Sequence, residues 1–356
     1  MQTLFIVAIL GLGFLITFQI AKASEYVAVL RGEERARKQT NKINAFMLLA
    51  FLIIGLIGVY YCNEKLKGKI LGEPASNHGI LIDRMLYITI ALTGIVFIIT
   101  QICLFWFSFK YQESDKRKAY YYPHNNKLEL IWTVIPAITL TVLVGFGLFY
   151  WFKITGKAPD NAMIVEVTGK QFGWEFRYPG KDGVLGKKYF KNVSPEKNNP
   201  AGQLWEDGYN HDDVFVEQEM HLVVNKPVRL VINAKDVIHD VGLAHFRMKM
   251  DAVPGTPTTM WFTPRFTTKE MIEKTGKANF VYEISCDQMC GKGHYGMRGV
   301  IVVETQAEFD AWLASKKPQY LVANPDKDPS AVKKDSATSK VPVPAGATPV
   351  QMKMRN

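Results

Sequence analysis

Four stretches in the first 154 residues contain no Asp, Glu, Lys or Arg: Met1–Ala21, Ile43–Asn63, Met85–Phe109 and Leu130–Phe152. A bilayer core ~30 Å thick takes ~20 residues of helix, so each run is long enough to span it. One such run can be the core helix of a soluble domain. Four in succession leave no soluble core for them to share, so the chain is expected to carry four membrane spans. Whole-chain averages conceal this, because 48% apolar residues in 356 is an ordinary value for a soluble protein.

The first run ends in Ala21-Lys22-Ala23, which looks like a signal-peptidase site. Its leading segment carries no Lys or Arg and its apolar stretch is long for a signal peptide, so a retained helix is expected. The loops between successive runs hold six, four and five basic residues. The positive-inside rule puts the first and third loops in the cytoplasm, so both termini and the C-terminal part face outward. Cys62, near the end of the second run, reads as a plain helix-end cysteine, and Cys103, within the third, as a core residue.

After Lys153 the texture changes to short β-branched and aromatic runs separated by turn residues. Candidate strands are Met163–Thr168, Phe172–Tyr178, Val214–Glu217, Pro227–Asn233, Thr258–Phe262, Asn279–Ile284 and Gly299–Glu304. Seven short strands with little helical periodicity predict an antiparallel sandwich or barrel. Only Ala307–Ser315 reads as helix. Lys181–Asp213 reads as a long inserted loop, and the Pro-, Ala-, Lys- and Ser-rich chain from Lys316 as a tail without a core of its own.

The densest chemistry is Cys286-Asp-Gln-Met-Cys290-Gly-Lys-Gly-His294-Tyr-Gly-Met297. Two thiols, an imidazole and a thioether in twelve residues suit copper, while oxygen ligands for calcium or magnesium are scarce. The C-x3-C-x3-H spacing is poor for a Cys/His zinc finger. A disulfide between Cys286 and Cys290 is the competing reading on an oxidising side of a membrane, but it leaves His294 and Met297 without a role. One more ligand is needed to complete two coordination spheres, and His239, after the strand Pro227–Asn233, is the best placed. His211, His221 and His245 read as surface or packed histidines.

These segments, in this order, resemble subunit II of the haem–copper cytochrome c oxidases. The resemblance covers roughly residues 78–315 and is carried by LELIWTVIPA from Leu128, GKQFGWEFRYPG from Gly169, NKPVRLVINAKDVIH from Asn225 and CDQMCGKGHYGM from Cys286. KMDAVPG from Lys249 is a further echo. The resemblance implies α-helical transmembrane hairpins followed by an all-β, cupredoxin-like sandwich holding the dinuclear copper centre called CuA. Cys286 and Cys290 would bridge both coppers, His239 and His294 would each bind one, and Met297 and the backbone carbonyl of Gln288 would be weak axial ligands.

Several positions depart from the family. Gln288 stands where Glu is common, and that Glu helps hold a magnesium at the interface with subunit I. The aromatic cluster that usually reads Trp-Tyr-Trp is Phe172-Gly173-Trp174, so Phe172 takes the place of the proposed electron entry point. The Trp expected two residues after the first ligand histidine is Val241. Glu129, at the start of the fourth span, matches a position proposed for proton entry into a partner-subunit channel. It also suits the positive end of a helix dipole. The family ordinarily has two spans, so the first two runs are an N-terminal addition.

The organisation implied is an added hairpin over 1–63, a subunit II hairpin over 78–154, a periplasmic copper domain over 155–315 and a flexible tail over 316–356. The function implied is the electron-entry subunit of a proton-translocating oxidase in the bacterial inner membrane. It would take electrons from a c-type cytochrome and serve haem in subunit I, where the oxygen chemistry is expected; no C-x-x-C-H haem motif occurs here. Further membrane subunits and lipid are the other expected partners. A CuA domain of a nitrous oxide reductase fits the spans badly. A membrane-anchored copper chaperone or thiol reductant using Cys286 and Cys290 is the alternative from a different class.

The formal charge of +10 invites a nucleic-acid reading, which its distribution removes. Residues 1–154 hold 16 basic against 9 acidic residues, and 316–356 hold 8 against 3, while the domain between holds 19 against 21. The excess sits in membrane-flanking loops and the tail. The acids between Glu206 and Asp240 are dense enough in sequence to suggest docking of a basic cytochrome.

Overall fold

The computed structural model describes residues 2–67, 72–113 and 116–329. The chain divides into two units. The first holds α1 (Gln2–Arg31), α2 (Glu33–Leu66) and most of α3 (Asn77–Lys110) and α4 (Asn126–Thr155). Among the described residues three helices, α2, α3 and α4, are long and apolar enough to cross a membrane, where the sequence predicts four. The first run lies in α1, and its opening residues fall outside those whose side chains are described.

The apolar windows of α3 and α4 bury none of their residues within the chain, so their side chains are left for lipid or other subunits. Most of their Ser and Thr hydroxyls donate within their own helix. Thr89 and Ser108 donate to the carbonyls of Met85 and Leu104 at 2.9 and 2.7 Å, the i−4 bond that keeps a polar group inside an apolar surround.

The second unit is a sandwich of two five-stranded sheets. Its strands are β1 (Met163–Lys170), β2 (Gly173–Tyr178), β3 (Val214–Glu217), β4 (Glu219–Val223), β5 (Val228–Ala234), β6 (His239–Leu243), β7 (Met248–Ala252), β8 (Thr258–Phe262), β9 (Tyr282–Cys286) and β10 (Arg298–Glu304). One sheet runs β3-β2-β1-β5-β8 and the other β4-β10-β9-β6-β7. The sandwich is not purely antiparallel, because β1 pairs parallel with β5 and β10 with β4. Val165, Val167, Trp174, Phe176, Leu230 and Ile232 from one sheet meet Leu222, Val241, Tyr282, Ile284 and Ile301 from the other in a single buried core.

Three strands go unannounced in the sequence. In β4 and β6 the buried polar residues His221, His239 and Asp240 mask the period-two signal, whereas β7 keeps it, with Lys249 and Asp251 exposed between buried or partly buried neighbours. A short helix α5 (Thr268–Thr275) is also added, set by a capping box between Thr267 and Glu270 and ended by Gly276 at φ 65°. The predicted C-terminal helix is α6 (Gln306–Ser315).

All six residues of β2 are buried, including those on its outer face. There Arg177 donates to Glu166 at 2.6 Å, to Asp213 at 2.8 Å and to the Gly186 carbonyl at 2.9 Å. Glu166 comes from β1, while Gly186 and Asp213 belong to the long insertion. One arginine therefore straps that loop over the sheet.

Residues at both ends of the sandwich exceed the expected boundaries. The segment Gly72–Ile82 packs with it: Ala75 is fully buried, Ser76 Oγ donates to the Phe246 carbonyl at 2.6 Å, and Arg265 holds the Pro74 carbonyl at 2.8 Å. After Ser315 the chain does not become a free tail. A short α7 (Gln319–Ala323) buries Gln319, whose N–H donates to the Asp213 carbonyl at 2.9 Å. Tyr320 stacks on His211 with ring centroids 3.9 Å apart. The remaining tail, residues 330–356, lies outside the described residues.

Candidate metal centre

Strand β9 ends at Cys286 and β10 begins at Arg298, so the intervening eleven residues form a connection between two antiparallel neighbours. The connection is closed at its base by Cys286 N–H donating to the Met297 carbonyl at 3.1 Å. His239 opens β6, and the pairing of Val241 with Cys286 sets the two strands side by side. Register, rather than any local motif, carries His239 to the cysteines.

The resulting cluster is compact. Cys286 Sγ and Cys290 Sγ lie 3.8 Å apart. His239 Nδ1 is 3.8 Å from Cys286 Sγ, and His294 Nδ1 is 3.7 Å from Cys290 Sγ. Met297 Sδ is 3.8 Å from Cys290 Sγ, and the Gln288 carbonyl accepts from Cys286 Sγ at 3.1 Å. His239, Cys286, Cys290 and Met297 are buried, whereas His294 is partly exposed. Both cysteines are free thiols.

Burial and the adjacent Cys286 sulfur push the Cys290 thiol up to about 11. Two thiols held this close resist becoming two thiolates unless a cation neutralises them. Soft sulfur and imidazole donors converge on a buried volume without a carboxylate among them, a donor set that fits copper.

The His239 imidazole is held from behind. His239 Nε2 lies 2.8 Å from Asp236 Oδ1, leaving Nδ1 for the sulfur side. Asp236 also accepts from the N–H groups of Gln171 and Val237, at 2.8 and 2.7 Å. Burial works to raise the Asp236 pKa, but these bonds prevail and hold it below the ordinary carboxylate value. Gln171 Nε2 donates in turn to the Cys290 carbonyl at 2.5 Å. Asp236 and Gln171 thus join the two ligand-bearing segments, a role for which only the D-x-x-H spacing gives a sequence hint.

Glycines make room for this packing. A Cβ on Gly169 would sit 2.8 Å from His239 Cδ2, and one on Gly293 would sit 2.4 Å from Phe172 Cγ. Phe172 lies over the Cys290–His294 connection and is 42% exposed. Trp174 is fully buried, with its ring centroid 6.2 Å from that of His239. Glu129 belongs to the helical unit, where its carboxylate accepts from the Asn125 N–H at 3.3 Å in the first turn of α4.

Most of the acids that cluster in sequence are buried or engaged with a partner. Asp213 is buried against Arg177, and Asp240 is 5% exposed. Glu217 pairs with Lys170, Glu219 with His221, and Asp236 with His239. Asp207 and Asp212 accept backbone N–H groups within the insertion.

Residues 75–149 match the family model for the transmembrane domain of cytochrome c oxidase subunit II, and residues 163–305 match that for its periplasmic domain. The chain is similar to the alternative cytochrome c oxidase subunit 2 of Bradyrhizobium diazoefficiens, 36% identical over 244 residues that cover 68% of this chain and 82% of the relative. It is 27% identical to the cytochrome c oxidase subunit 2 of Cereibacter sphaeroides over 240 residues, 64% of this chain and 73% of that one. Among solved structures, the periplasmic domain of cytochrome oxidase subunit II from Bradyrhizobium japonicum aligns at 23% identity over 47% of this chain and 99% of the other, with a TM-score of 0.32.

Proposed function

The chain belongs to the cytochrome c oxidase subunit II family, and on that premise we propose that it holds a dinuclear CuA centre and receives single electrons from a c-type cytochrome. Within the family it is the electron-entry subunit of a haem–copper oxidase, with a membrane-spanning helical region and a periplasmic, cupredoxin-like domain. Oxygen reduction belongs to the partner subunit I.

The observation that carries the copper reading is the symmetry of the cluster: a pair of sulfurs 3.8 Å apart, each flanked by one imidazole Nδ1 at 3.8 or 3.7 Å. Cys286 and Cys290 would bridge, His239 and His294 would take one metal each, and Met297 and the Gln288 carbonyl would complete the shell. When bound, the metal pair supplies a one-electron couple delocalised over two ions, tuned by burial and by hydrogen bonds around the sulfurs.

The protein's part is to keep these donors still. The connection is anchored on two paired strands, Asp236 fixes the His239 ring, and Gln171 ties the Cys290 carbonyl to the same support. A frame that moves little between two redox states lowers the cost of reorganisation during transfer. Phe172, exposed over the Cys290–His294 connection, is the proposed entry point, with buried Trp174 packed beside His239.

The chain would lie in a bacterial inner membrane with four spans, the first on α1, and with both termini outside. Glu129 is offered as a proton-entry carboxylate toward subunit I, a role its capping bond leaves open because that bond uses one oxygen. With Gln288 in place of Glu, an interface magnesium would need its protein ligands from elsewhere.

Metal analysis with electron paramagnetic resonance on the purified full-length chain tests the reading. Two coppers per chain with a mixed-valence spectrum are expected. A single colourless copper removed by a mild chelator would overturn it in favour of copper carriage.

A further inference from the structure

The surface around the copper ligands is apolar where the sequence suggests acidity. Phe172, Val237, Ile238, Met289 and Tyr295 are 42, 37, 44, 75 and 85% exposed, and each lies within two residues of a proposed ligand or packs on the ligand connection. The contacts described above join them into one rim. Val237 follows Asp236, which accepts from Gln171 N–H; Gln171 reaches the Cys290 carbonyl beside Met289; and the Phe172 ring covers Gly291 and Gly293, next to Tyr295.

The charges around this rim are of both signs. Lys292 is exposed within the ligand connection itself. The Arg298 guanidinium lies 5.3 Å from the Tyr295 ring centroid and pairs with Glu283 at 3.4 Å. Asp236 is committed to His239. Carboxylates gather at Asp240, Asp251 and Asp287, on the β6–β7 side, where Lys249 pairs with Asp287 at 3.2 Å. Large exposed apolar side chains gathered at one place on a soluble domain mark an interaction surface, and its charge balance fits a partner without a ring of lysines.

We propose that the electron donor docks on this rim through apolar contact, and that it is a small carrier protein whose exposed cofactor edge is surrounded by uncharged side chains. The inference rests on the electron-entry reading above and specifies the donor's surface. Association driven by apolar burial depends weakly on salt, whereas association steered by opposite charges falls steeply as ionic strength rises.

Oxidation of two reduced probes by the intact oxidase complex tests the proposal: a lysine-ringed mitochondrial-type cytochrome c, and a c-type cytochrome with an uncharged haem edge. The uncharged probe should be oxidised with the higher kcat/KM, changing less than about twofold between ~20 and ~200 mM salt. Tyr295→Glu should raise its KM about tenfold while leaving reduction of the complex by a small ruthenium complex unchanged. Faster oxidation of the lysine-ringed probe, with a steep salt dependence that Asp251→Asn abolishes, would overturn apolar docking. Failure of the ruthenium complex to reduce a copper centre would instead count against electron entry itself, so the two failures are separable.

Discussion

Asp236 Oδ1 lies 2.8 Å from His239 Nε2, on the side of the ring opposite the cysteine sulfurs. A histidine has two nitrogens, and a carboxylate on one determines which is left to bind metal and how the ring is turned. Because Asp236 precedes His239 by three residues, the residue that orients the ligand and the ligand itself arrive on the same turn of chain into β6.

Asp236→Ala should therefore weaken metal binding by about 10–100-fold, the range for loss of such a support. Competition with a chelator of known affinity measures this. Unchanged affinity would mean that packing alone holds the ring, since His239 is fully buried.

Gly169→Ala addresses the same ring from the other side. The added Cβ would meet His239 Cδ2 at 2.8 Å, so either the ring or β1 must shift. The expected result is a loss of about 1–3 kcal/mol of stability from overpacking together with an altered copper spectrum. A denaturant midpoint equal to that of the parent chain would contradict the close approach.

Cys290→Ser should remove the mixed-valence signal and leave the sandwich folded. The substitution keeps the size of the side chain in a connection whose ends are tied by the Cys286–Met297 backbone bond. Circular dichroism should match the parent chain while the copper spectrum changes. A mixed-valence signal in the variant would rule out bridging by this sulfur.

The buried network under the insertion gives a pH dependence. Burial pushes the Asp213 carboxyl up to about 7 against the opposing pull of Arg177, while Glu166, sharing the same arginine, is held below its ordinary value. The contrast follows from partners. Glu166 meets both Arg177 and Lys188, whereas Asp213 leaves its Oδ1 without one. Between about pH 4 and 7 the folded chain thus binds a proton at Asp213 that the unfolded chain would release. Stability should fall as pH rises through that window and level off above it. Asp213→Asn should flatten the slope in denaturant melts run at several pH values, whereas Glu166→Gln should destabilise the chain at every pH above 5 by leaving its basic partners short of charge.

Much of this arrangement is legible residue by residue. The uncharged runs announce helices because twenty or more residues pass without a charge, and Cys286 to Met297 announces a metal loop because four soft or imidazole donors are packed into twelve residues. Two of the strands that escape notice, β4 and β6, have polar residues on buried positions: His221 in β4, and His239 and Asp240 in β6. The acidic stretch from Glu206 to Asp240 misleads for a related reason: density along a chain is not density on a surface. Asp213 and Asp240 are buried, and Glu217, Glu219 and Asp236 are paired with Lys170, His221 and His239.

By itself, the sequence determined the division into membrane helices and a β-domain, the candidate donor atoms and the family, because those properties reside in composition and in spacings of a few residues. Tertiary structure alone decided that His239, 47 residues before Cys286, stands 3.8 Å from its sulfur. It also decided that Gly72–Ile82 and Gln319–Ala323 belong to the sandwich, and that the rim of the site is apolar. Each of these depends on strand register and on pairing between residues far apart in sequence, and such pairings are set by the burial of the whole core rather than by any local run of residues.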